Sequence, residues 1–587
     1  MFSMYSDSEI SAIVRKDGIK MVSMREYTFC GLIDVLTAKF GKYDCYTVLG
    51  KKPGEERSMT YDELGDKVGI MRSYLLSIGF WKGDKIAIWG DSCPEWMVMY
   101  LAITTMGAIA VPILPGFTAK ETEFALKNSG AKGICAQKKY LDSLKDHMDL
   151  SGYEIFALEN LHHLKDGKDI DTTQTYFQAD IVPPVLEEDI ASIIYTSGTT
   201  GNSKGVQLSH KNILSCADQA SKMYVDIKPG DRAISILPMS HVYEFTIGQL
   251  VTMLNGTHIY FLGRPAAVSV LLPALKSVRP HIMLTVPLIM EKIYKSSIAP
   301  LITNGGKLEK FYNMPIIGSF VARAIGHKLE DTFGGRLKFF GIGGAPLDPE
   351  VDRFLDRTTF PVAHGYGLTE TSPLLAGCAP HKHKTGFIGE ICPYTEYKLL
   401  DVNSEGVGEF AVKGPQVMRG YYNNDELNKE SFTEDGYFRT GDLAFVDKKG
   451  VLGIKGRCKT MILGPAGENI YPEAIESVIN NMEFVQESLV IDDEDNTLVG
   501  LIKIDIELMA KKLKMNLHDA EVEARKYVDS LKSKINKELS AQNKLSSVRF
   551  QKEPFQRTAT QKIKRFLYQA NKKNDGNKKG NNSTKVG

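Results

Sequence analysis

A short stretch about one third of the way along the chain, residues 193–210, constrains the possible fold and function more than any other part of the sequence. It reads IIYTSGTTGNSKGVQLSH, and the apolar run that ends at Tyr195 predicts a buried strand. The strand leads into glycine and hydroxyl residues, where successive backbone N–H groups can bind an anion. Hydroxyl donors and one lysine then complete a loop that suits the phosphates of a nucleotide. The loop residues concerned are Thr196, Ser197, Gly198, Thr199, Thr200, Gly201 and Lys204.

The order of residues in this loop differs from two common phosphate-binding motifs. A Walker A loop requires GxxxxGK followed by Ser or Thr, and a dinucleotide-binding turn requires GxGxxG. Here the order is SGTTGNSKG. The alternative to a phosphate loop is an ordinary Gly/Ser/Thr surface loop between a strand and a helix. The specific order of residues in this string argues against that alternative. The string resembles the phosphate loop of the adenylate-forming superfamily, which contains acyl-CoA synthetases, luciferases and peptide-synthetase adenylation domains.

Composition narrows the class of protein. The chain has 587 residues, of which 43% are hydrophobic and 24% charged, and its net charge is +1. These values are typical of a globular protein without a bias towards nucleic acid. The eight cysteines form no CxxC pair, which indicates reduced thiols in a cytoplasmic protein. Peripheral membrane contact and oligomeric state stay open at this stage.

One apolar stretch, residues 96–114, carries no charge and is long enough to cross a bilayer. Gly107 divides it into an apolar helix and a β-branched segment that ends at Pro115. We therefore predict a helix followed by a buried strand, not a transmembrane span. The N-terminus lacks the apolar run of a secretory signal, which argues against export.

Helix and strand signals alternate along the first half of the chain. Thr60 and Glu63 have the spacing of a capping box at the start of an amphipathic helix, and residues 83–92 read as a strand. Such alternation predicts an α/β fold with a parallel or mixed sheet. The polar residues 161–175 are predicted to form a surface excursion before the phosphate loop.

Two further motifs follow the loop. His241 opens an apolar helix in the string PMSHVYEFTIG, a position at which histidine ordinarily caps or packs. The turn GIGGAP at residues 341–346 follows a strand, and its glycines permit close approach of a ligand.

The string HGYGLTETSP at residues 364–373 is the second strong signal. Tyr366 offers an aromatic face for a purine, and Gly367 leaves room beside it. Thr369 and Glu370 add a hydroxyl and a carboxylate. Because Mg²⁺ prefers oxygen ligands that it shares with phosphates, an acidic residue facing a phosphate loop suits this ion.

Three charged residues in the last third complete the set. Asp442, in the string RTGD, can accept hydrogen bonds from both hydroxyls of a ribose, and Arg457 can bridge sugar and phosphate oxygens. Taken alone, an aspartate after glycine is usually a turn residue. Lys562 lies in RTATQKIKRF, where a lone lysine is ordinarily a solvated charge.

The ordered motifs, over about residues 30–568, resemble the adenylate-forming superfamily, and PMSHVYE is most similar to the long-chain acyl-CoA synthetases. The resemblance implies a large N-terminal α/β domain of several sheets, residues 1–458. It also implies a smaller, mobile C-terminal α+β domain, residues 459–570, which hinges at Lys459. The Lys/Asn-rich residues 571–587 are predicted to be disordered.

The resemblance also implies roles for single residues. Lys562 is the implied catalytic lysine, although Gln561 stands where the superfamily usually has glycine. His241 is implied to lie beside the acyl carboxylate, and Glu370 and Thr199 to act in catalysis by holding Mg²⁺. The implied nucleotide-binding residues are Thr196, Ser197, Gly198, Thr199, Thr200, Gly201, Lys204, Gly343, Gly344, Ala345, Tyr366, Gly367, Thr369, Asp442 and Arg457. The implied acyl-pocket residues are His241, Phe245 and Gly343.

The implied reaction uses ATP, Mg²⁺ and coenzyme A. A fatty acid is converted to acyl-AMP with release of pyrophosphate, and the acyl group then passes to the thiol of CoA. Two alternatives stay open. One is a fatty acyl-AMP ligase that loads a carrier protein, and the other is a non-catalytic homologue that binds a nucleotide or lipid. The chain-length preference depends on tunnel depth, which sequence does not give.

Overall fold

The computed structural model describes residues 12–14, 20–22, 26–52, 54–173, 183–197, 203–223, 226–303, 305–463, 469–493, 497–558 and 562–569. The predicted tail, residues 571–587, and residues 198–202 of the phosphate loop lie outside these ranges. The chain divides into two compact units. The first contains the described residues up to 197 together with 203–440 and 444–454, and the second contains Gly441–Leu443 and the described residues from 455 onwards.

The strands are listed here in chain order. They are β1 (Ala12–Val14), β2 (Lys20–Val22), β3 (Asp44–Val48), β4 (Arg57–Thr60), β5 (Lys85–Trp89), β6 (Ile109–Ile113), β7 (Gly133–Ala136), β8 (Glu154–Ala157), β9 (His163–Lys165), β10 (Lys168–Ile170), β11 (Ile190–Ser197), β12 (Ser203–Ser209), β13 (Arg232–Ser235), β14 (His258–Phe261), β15 (Ile282–Thr285), β16 (Phe339–Ile342), β17 (Val362–Gly367), β18 (Leu374–Gly377), β19 (Gly389–Ile391), β20 (Glu396–Leu400), β21 (Gly408–Lys413), β22 (Gly420–Tyr421), β23 (Phe438–Val446), β24 (Val451–Arg457), β25 (Ile462–Leu463), β26 (Asn469–Ile470), β27 (Val485–Asp492), β28 (Leu498–Ile504) and β29 (Ser547–Phe550).

The helices follow the same order. The α-helices are α1 (Phe29–Phe40), α2 (Tyr61–Ser77), α3 (Pro94–Thr105), α4 (Ala119–Ser129), α5 (Lys138–Lys145), α6 (His210–Met223), α7 (Thr252–Leu254), α8 (Val268–Val278), α9 (Pro287–Ile293), α10 (Ala299–Ile302), α11 (Lys307–Tyr312), α12 (Ile317–Thr332), α13 (Pro349–Asp356), α14 (Asp425–Ser431), α15 (Pro472–Asn480), α16 (Ile506–Leu513) and α17 (Leu517–Glu538). Segments Tyr243–Val251 and Tyr294–Ile298 are π-helical, and Thr369–Thr371, Ala541–Asn543 and Arg565–Leu567 form 3-10 turns.

Two large mixed sheets organise the first unit. Within the described residues, one has the strand order β10-β9-β8-β7-β5-β6-β11-β12-β22, with parallel pairs in its centre. The other has the order β20-β21-β23-β24-β19-β18-β17-β16-β15-β13-β14-β3-β4, and is parallel from β3 to β17. Parallel pairs require crossover connections, which the intervening helices provide. The α/β class expected from the alternating pattern is therefore confirmed.

The charge-free stretch at 96–114 is divided as expected. Helix α3 ends at Thr105, and β6 begins at Ile109 inside the first sheet. The helix is buried on nearly every side, and the rings of Trp96 and Tyr100 stack 5.4 Å apart. Among the helices of the described residues, none combines the length and apolar character that a bilayer span requires.

The start of α2 is a complete capping box. The Glu63 N–H donates to the Thr60 hydroxyl over 3.2 Å, and the Thr60 N–H donates to the Glu63 carboxylate over 2.8 Å. These two bonds satisfy N–H groups that the first helical turn leaves without intrahelical partners. The spacing of the two residues in sequence predicted this helix start correctly.

The prediction that residues 161–175 form a surface excursion is partly wrong. Strands β9 and β10 pair as a hairpin at the edge of the first sheet. His163 is fully buried there, where its Nδ1 lies 2.7 Å from the Tyr74 hydroxyl of α2. Thr172 is also buried, and its hydroxyl donates to the Leu161 carbonyl over 2.7 Å. Hydrogen-bonded polar side chains can thus be buried in a segment that reads as polar.

The second unit is a small α+β domain. Strands β27 and β28 pair antiparallel, and β29 joins β28 in parallel. Helices α15 and α17 contribute apolar residues to its core, including Ile475, Ile479, Val528 and Leu531. Helix α15 begins at Pro472, a residue suited to the first helical position because it has no N–H to satisfy.

Candidate active site

Strands β11 and β12 flank the predicted phosphate loop. They form an antiparallel hairpin in which Thr196 lies opposite Lys204 and Ser197 lies opposite Ser203. The loop centre, with Gly198, Thr199, Thr200 and Gly201, lies outside the described residues, so the roles of these residues stay predictions. The predicted strand before the loop is present, and a second strand returns directly after it.

Tyr421, which belongs to none of the sequence motifs, joins Lys204 to Glu370. Strand β22 pairs with β12, so that Tyr421 lies opposite Val206. The Tyr421 hydroxyl donates to Glu370 Oε1 over 2.8 Å, and Lys204 Nζ lies 5.2 Å from the centre of the Tyr421 ring. Two residues predicted to act on phosphates and Mg²⁺ therefore lie close to the same tyrosine, Lys204 near the ring and Glu370 at the hydroxyl.

The Glu370 carboxylate fits a hard cation. It is half-buried, and a phenol holds one of its oxygens in a defined orientation. A carboxylate has more acceptor sites than this single bond uses, and oxygen is the ligand atom that Mg²⁺ prefers. The backbone is held as well, because the Met418 N–H donates to the Glu370 carbonyl over 2.8 Å.

The backbone at Gly367 lies very close to the backbone at Pro373, on the other side of the Glu370 turn. A Cβ atom at this position would lie 1.7 Å from the Pro373 carbonyl oxygen. Glycine is therefore required because the Pro373 backbone leaves no space for a side chain at this position. The sequence had suggested a different reason, that Gly367 leaves room for a ligand beside Tyr366. The Tyr366 ring is half-buried, 6.2 Å from that of Phe410. Thr369 is also half-buried and begins the 3-10 turn that carries Glu370.

The GIGGAP turn faces an aromatic residue of the neighbouring helix. A Cβ on Gly343 would lie 3.3 Å from the Tyr243 ring, and one on Gly341 would lie 3.0 Å from the Tyr243 hydroxyl. Gly343 is buried, whereas Gly344 and Ala345 are exposed. Tyr243 was missed in the sequence, where its only signal is an aromatic side chain two residues after His241.

His241 begins this helical segment and caps it. Its Nδ1 accepts the Tyr243 N–H over 3.2 Å, while its carbonyl accepts the Phe245 N–H over 2.9 Å. In a neutral imidazole the other ring nitrogen then carries the proton, so Nε2 is the donor. The ring is half-buried. Its arrangement combines the capping role with an N–H group that could donate to a carboxylate.

The apolar helix predicted after His241 is present, and it is π-helical over Tyr243–Val251. Phe245 is 4% exposed, and its ring centre lies 4.4 Å from Tyr100 and 5.8 Å from Trp96. These contacts favour a packing role in the core, and the acyl-pocket role that the resemblance implies for Phe245 stays a prediction. π-Helical turns are frequent at functional sites.

Glu244 is a fully buried carboxyl in the same segment. Its Oε1 accepts hydrogen bonds from the Ser235 hydroxyl over 2.6 Å and from the Gln249 amide over 2.9 Å. Burial raises the pKa of Glu244 to about 7, although these two bonds oppose the shift. The carboxyl therefore stays partly protonated near neutral pH.

In the second unit, the predicted ribose-binding pair is assembled. Arg457 Nε lies 3.0 Å from Asp442 Oδ1, and the Asp442 side chain is 5% exposed. The Cys458 N–H donates to the Gly441 carbonyl over 2.8 Å, which holds the two segments together. A buried aspartate oriented by a guanidinium suits a ligand that brings its own hydroxyl donors.

Lys562 lies on an exposed turn of the second unit. Its N–H donates to the Thr558 hydroxyl over 3.2 Å, and its carbonyl accepts the Thr558 N–H over 2.8 Å. Residues 559–561, including Gln561, lie outside the described chain. Arg565 anchors the segment through two bonds to the Glu476 carboxylate, at 2.7 and 2.5 Å. Lys459 is exposed in the turn after β24, and its hinge role stays a prediction.

Similar structures define the class to which this fold belongs. A Bacillus subtilis O-succinylbenzoate coenzyme A synthetase solved with ATP and magnesium superposes with a TM-score of 0.70 at 20% identity, covering 91% of this chain and 98% of that one. A Mycobacterium tuberculosis fatty acyl CoA synthetase gives 0.63 at 21% identity, covering 93% and 98%. The fold is that of the adenylate-forming enzymes, which confirms the predicted class of a large multi-sheet α/β domain with a smaller C-terminal domain.

The sequence itself defines the family. The profile described as AMP-binding enzyme matches residues 38–422, and the chain belongs to this family. It is 30% identical over 493 residues to the peroxisomal long chain acyl-CoA synthetase 6 of Arabidopsis thaliana, covering 78% of this chain and 70% of that protein. The predicted superfamily is thereby confirmed, and the protein is a ligase of the AMP-binding family.

Proposed function

We propose that this protein activates a long-chain fatty acid with ATP, releases pyrophosphate, and transfers the acyl group from acyl-AMP to coenzyme A. The observation that carries the proposal is the junction of Lys204, Tyr421 and Glu370 beside the β11–β12 hairpin. The likeness to an enzyme named a long chain acyl-CoA synthetase supports the choice of acid and of thiol acceptor.

The first step must join two anions. A carboxylate and a phosphate oxygen about 4 Å apart repel by roughly 4 kcal/mol at an effective dielectric constant near 20. Left uncompensated, this repulsion slows the reaction about a thousandfold. An ammonium group that contacts both anions offsets most of this cost, and Lys562 is the group that we assign to this role. When bound, Mg²⁺ adds Lewis-acid neutralisation of the phosphates.

The remaining side chains have supporting roles in this proposal. Lys204 and the hydroxyl residues of the hairpin loop bind phosphate oxygens, while Glu370 and Thr199 hold the metal ion. Tyr421 orients Glu370 through its hydrogen bond. The amide and hydroxyl donors of the loop also stabilise departing pyrophosphate.

The nucleoside and the fatty acid are bound by separate sets of residues. Asp442 accepts the ribose hydroxyls and Arg457 bridges to phosphate, while Tyr366 and the GIGGAP turn flank the adenine. The His241 Nε2–H donates to the fatty-acid carboxylate, and Tyr243 lines the acyl path beside Gly343. After adenylation, a rotation at Lys459 withdraws Lys562 and admits the CoA thiol.

Pyrophosphate release across saturated acids from acetate to stearate, with and without CoA, tests the proposal. We expect release that depends on a long-chain acid, and stoichiometric loss of free CoA thiol. Release without consumption of CoA would favour the fatty acyl-AMP ligase that loads a carrier protein. No release with any acid, despite ATP binding, would favour the non-catalytic homologue.

A further inference from the structure

A cluster of metal-ligating side chains lies in the first unit, apart from the residues assigned to the reaction. It consists of Asp352 on α13, His364 on β17 and His383 in the segment between β18 and β19. One ligand atom of each lies within 4.8 Å of the corresponding atoms of the other two. Cys378 adjoins the cluster, because its Sγ accepts the His364 N–H over 3.1 Å.

The polar atoms that face each other in this cluster are buried without hydrogen bonds. Among the described residues, His364 Nδ1, both ring nitrogens of His383 and Asp352 Oδ1 make no hydrogen bond of good geometry, although His383 lies close to both Asp352 and Cys378. His364 is 8% exposed, and the His383 side chain is 5% exposed. Buried polar atoms almost always have a partner, so four such atoms at one place require an explanation.

A simple ion pair does not account for these atoms. His383 Nε2 lies 2.7 Å from Asp352 Oδ1, but the angles are not those of a hydrogen bond. Even a protonated His383 paired with Asp352 would leave His364 Nδ1 without a partner. Ligand atoms within 4.8 Å of one another are, however, close enough to surround one metal ion after small side-chain movements.

We propose that Asp352, His364 and His383 bind a structural Zn²⁺ ion, with the Cys378 thiolate as the fourth ligand. Imidazole nitrogen, carboxylate oxygen and thiolate sulfur are the ligand atoms that zinc takes in proteins, and four protein ligands are typical of structural sites. Zinc bonds of about 2.0–2.3 Å require small side-chain movements: His383 Nε2 and Asp352 Oδ1 move apart from their present 2.7 Å, and the Cys378 side chain turns towards the other three ligands.

The second oxygen of Asp352 already has the outer-shell bond expected of a metal ligand. The Gly386 N–H donates to Asp352 Oδ2 over 2.8 Å, leaving Oδ1 to bind the ion. The same segment is attached to α13 by the Thr385 hydroxyl, which donates to Asp356 Oδ2 over 2.9 Å. The segment between β18 and β19, which carries His383, is thus held close to α13 before any ion binds.

The ion would join two parts of the proposed nucleotide site. Helix α13 follows the GIGGAP turn, and β17 leads into Tyr366 and the Glu370 turn. A metal bound by both elements, and by the loop after β18, fixes their separation without contacting the substrates. Its loss should therefore lower stability more than it alters the chemistry of the site.

Zinc content measures the site directly. We would express the full chain with zinc, dialyse it against metal-free buffer and measure bound metal by mass spectrometry. One zinc per chain is expected in the wild type, and a loss of at least tenfold in His383→Ala and Asp352→Asn. The matched control is His381→Ala, an exposed histidine of the same loop, which should keep the ion. Glu370→Gln should also keep it, which excludes binding at the proposed magnesium site.

Two further measurements do not depend on the folding of His383→Ala or Asp352→Asn. Removal of zinc with a chelator should lower the Tm, and added zinc should restore it. Cobalt reconstitution should give a thiolate-to-cobalt absorption band that Cys378→Ser removes. Zinc in the wild type no higher than in His383→Ala, together with a Tm that chelation does not change, would overturn the site. A cobalt spectrum unchanged by Cys378→Ser would overturn the thiolate assignment.

Discussion

The Tyr421 hydroxyl donates a hydrogen bond of 2.8 Å to the Glu370 carboxylate, although 50 residues separate the two in the chain. Strand β22 carries Tyr421 to the edge of the phosphate-loop hairpin, and the 3-10 turn after β17 carries Glu370. This bond ties the proposed metal-binding residue to the hairpin, and it underlies the first prediction.

Replacing Tyr421 by Phe should slow acyl-AMP formation by roughly tenfold to a hundredfold. A hydrogen bond to a charged group is worth about 1.5–3 kcal/mol, and its loss frees the Glu370 carboxylate to rotate. Pyrophosphate release measured against Mg²⁺ concentration should show a higher requirement for the ion. Tyr422→Phe is the matched control and should retain the wild-type requirement. Equal magnesium dependence in wild type and Tyr421→Phe would reject the orienting role.

Lys562→Ala should slow acyl-AMP formation by about a thousandfold, because two anions would meet without a bridging ammonium. Thioester formation from supplied acyl-AMP should change little. Stopped-flow measurement of the two half-reactions checks this division. Lys564→Ala, two residues away, is the control and should affect neither step strongly. Equal loss of both half-reactions in Lys562→Ala would contradict the assignment.

Glu244 should make stability depend on pH. Its pKa rises from the usual 4.5 to about 7 on folding, so the folded state binds a proton that the unfolded state has released. The resulting stabilisation is complete below pH 4.5, falls between pH 4.5 and 7, and is absent above that range, a total of roughly 3 kcal/mol. Urea unfolding at pH 5 and pH 8 should show this loss in the wild type. Glu244→Gln should remove most of it, and an equal loss in that variant would assign the effect to other groups.

Gly367→Ala should destabilise the first unit by about 3 kcal/mol or more. The added methyl would lie 1.7 Å from the Pro373 carbonyl, a backbone atom that cannot move aside without opening the Glu370 turn. Chemical denaturation gives the change in unfolding free energy. Gly152→Ala, where an added Cβ meets nothing within 4 Å, should stay close to the wild type. A Gly367→Ala protein as stable as the wild type would show that the Pro373 backbone can move to make room for the added methyl group.

Tyr243 and Phe245 should differ in their effects on acyl chain length. Tyr243→Leu should change the ranking of acids in the pyrophosphate assay, because this ring faces Gly343. Phe245→Ala should instead lower stability by about 3–5 kcal/mol, because its ring packs against Tyr100 and Trp96. A Phe245→Ala protein that stays stable but prefers longer acids would support the acyl-pocket role of Phe245 instead.

The different surroundings of Tyr243 and Phe245 could not be predicted from the apolar pattern of the sequence. The apolar run after His241 predicted a helix, and a regular α-helix turns by 100° per residue. The segment is π-helical, with bonds from residue i to i+5, so its faces are distributed differently. Apolar character alone could not separate a residue beside the GIGGAP turn from one in the aromatic core.

The sequence motifs could be recognised because each depends on local chemistry. Their spacing is set by backbone geometry within a short segment, as in the glycine and hydroxyl residues between β11 and β12, the RTGD string and, outside the site, the Thr60 capping box. Residues that act only by pairing across the fold were missed. Tyr421 and the His364–His383 pair gave no local signal, since an isolated tyrosine or histidine is ordinarily a packing residue.

The order of short motifs along the chain, by itself, determined the superfamily, the α/β class and most of the candidate residues, since local stereochemistry and hydrophobic pattern are encoded within a few positions. The tertiary structure alone decided which of them meet. Strand pairing brings Lys204 and Glu370 to one tyrosine, and the packing of α13 and of the segment after β18 near β17 gathers Asp352, His364 and His383 into one buried cluster. Such contacts depend on sheet order and register, which arise from the packing of the whole chain and not from any one segment.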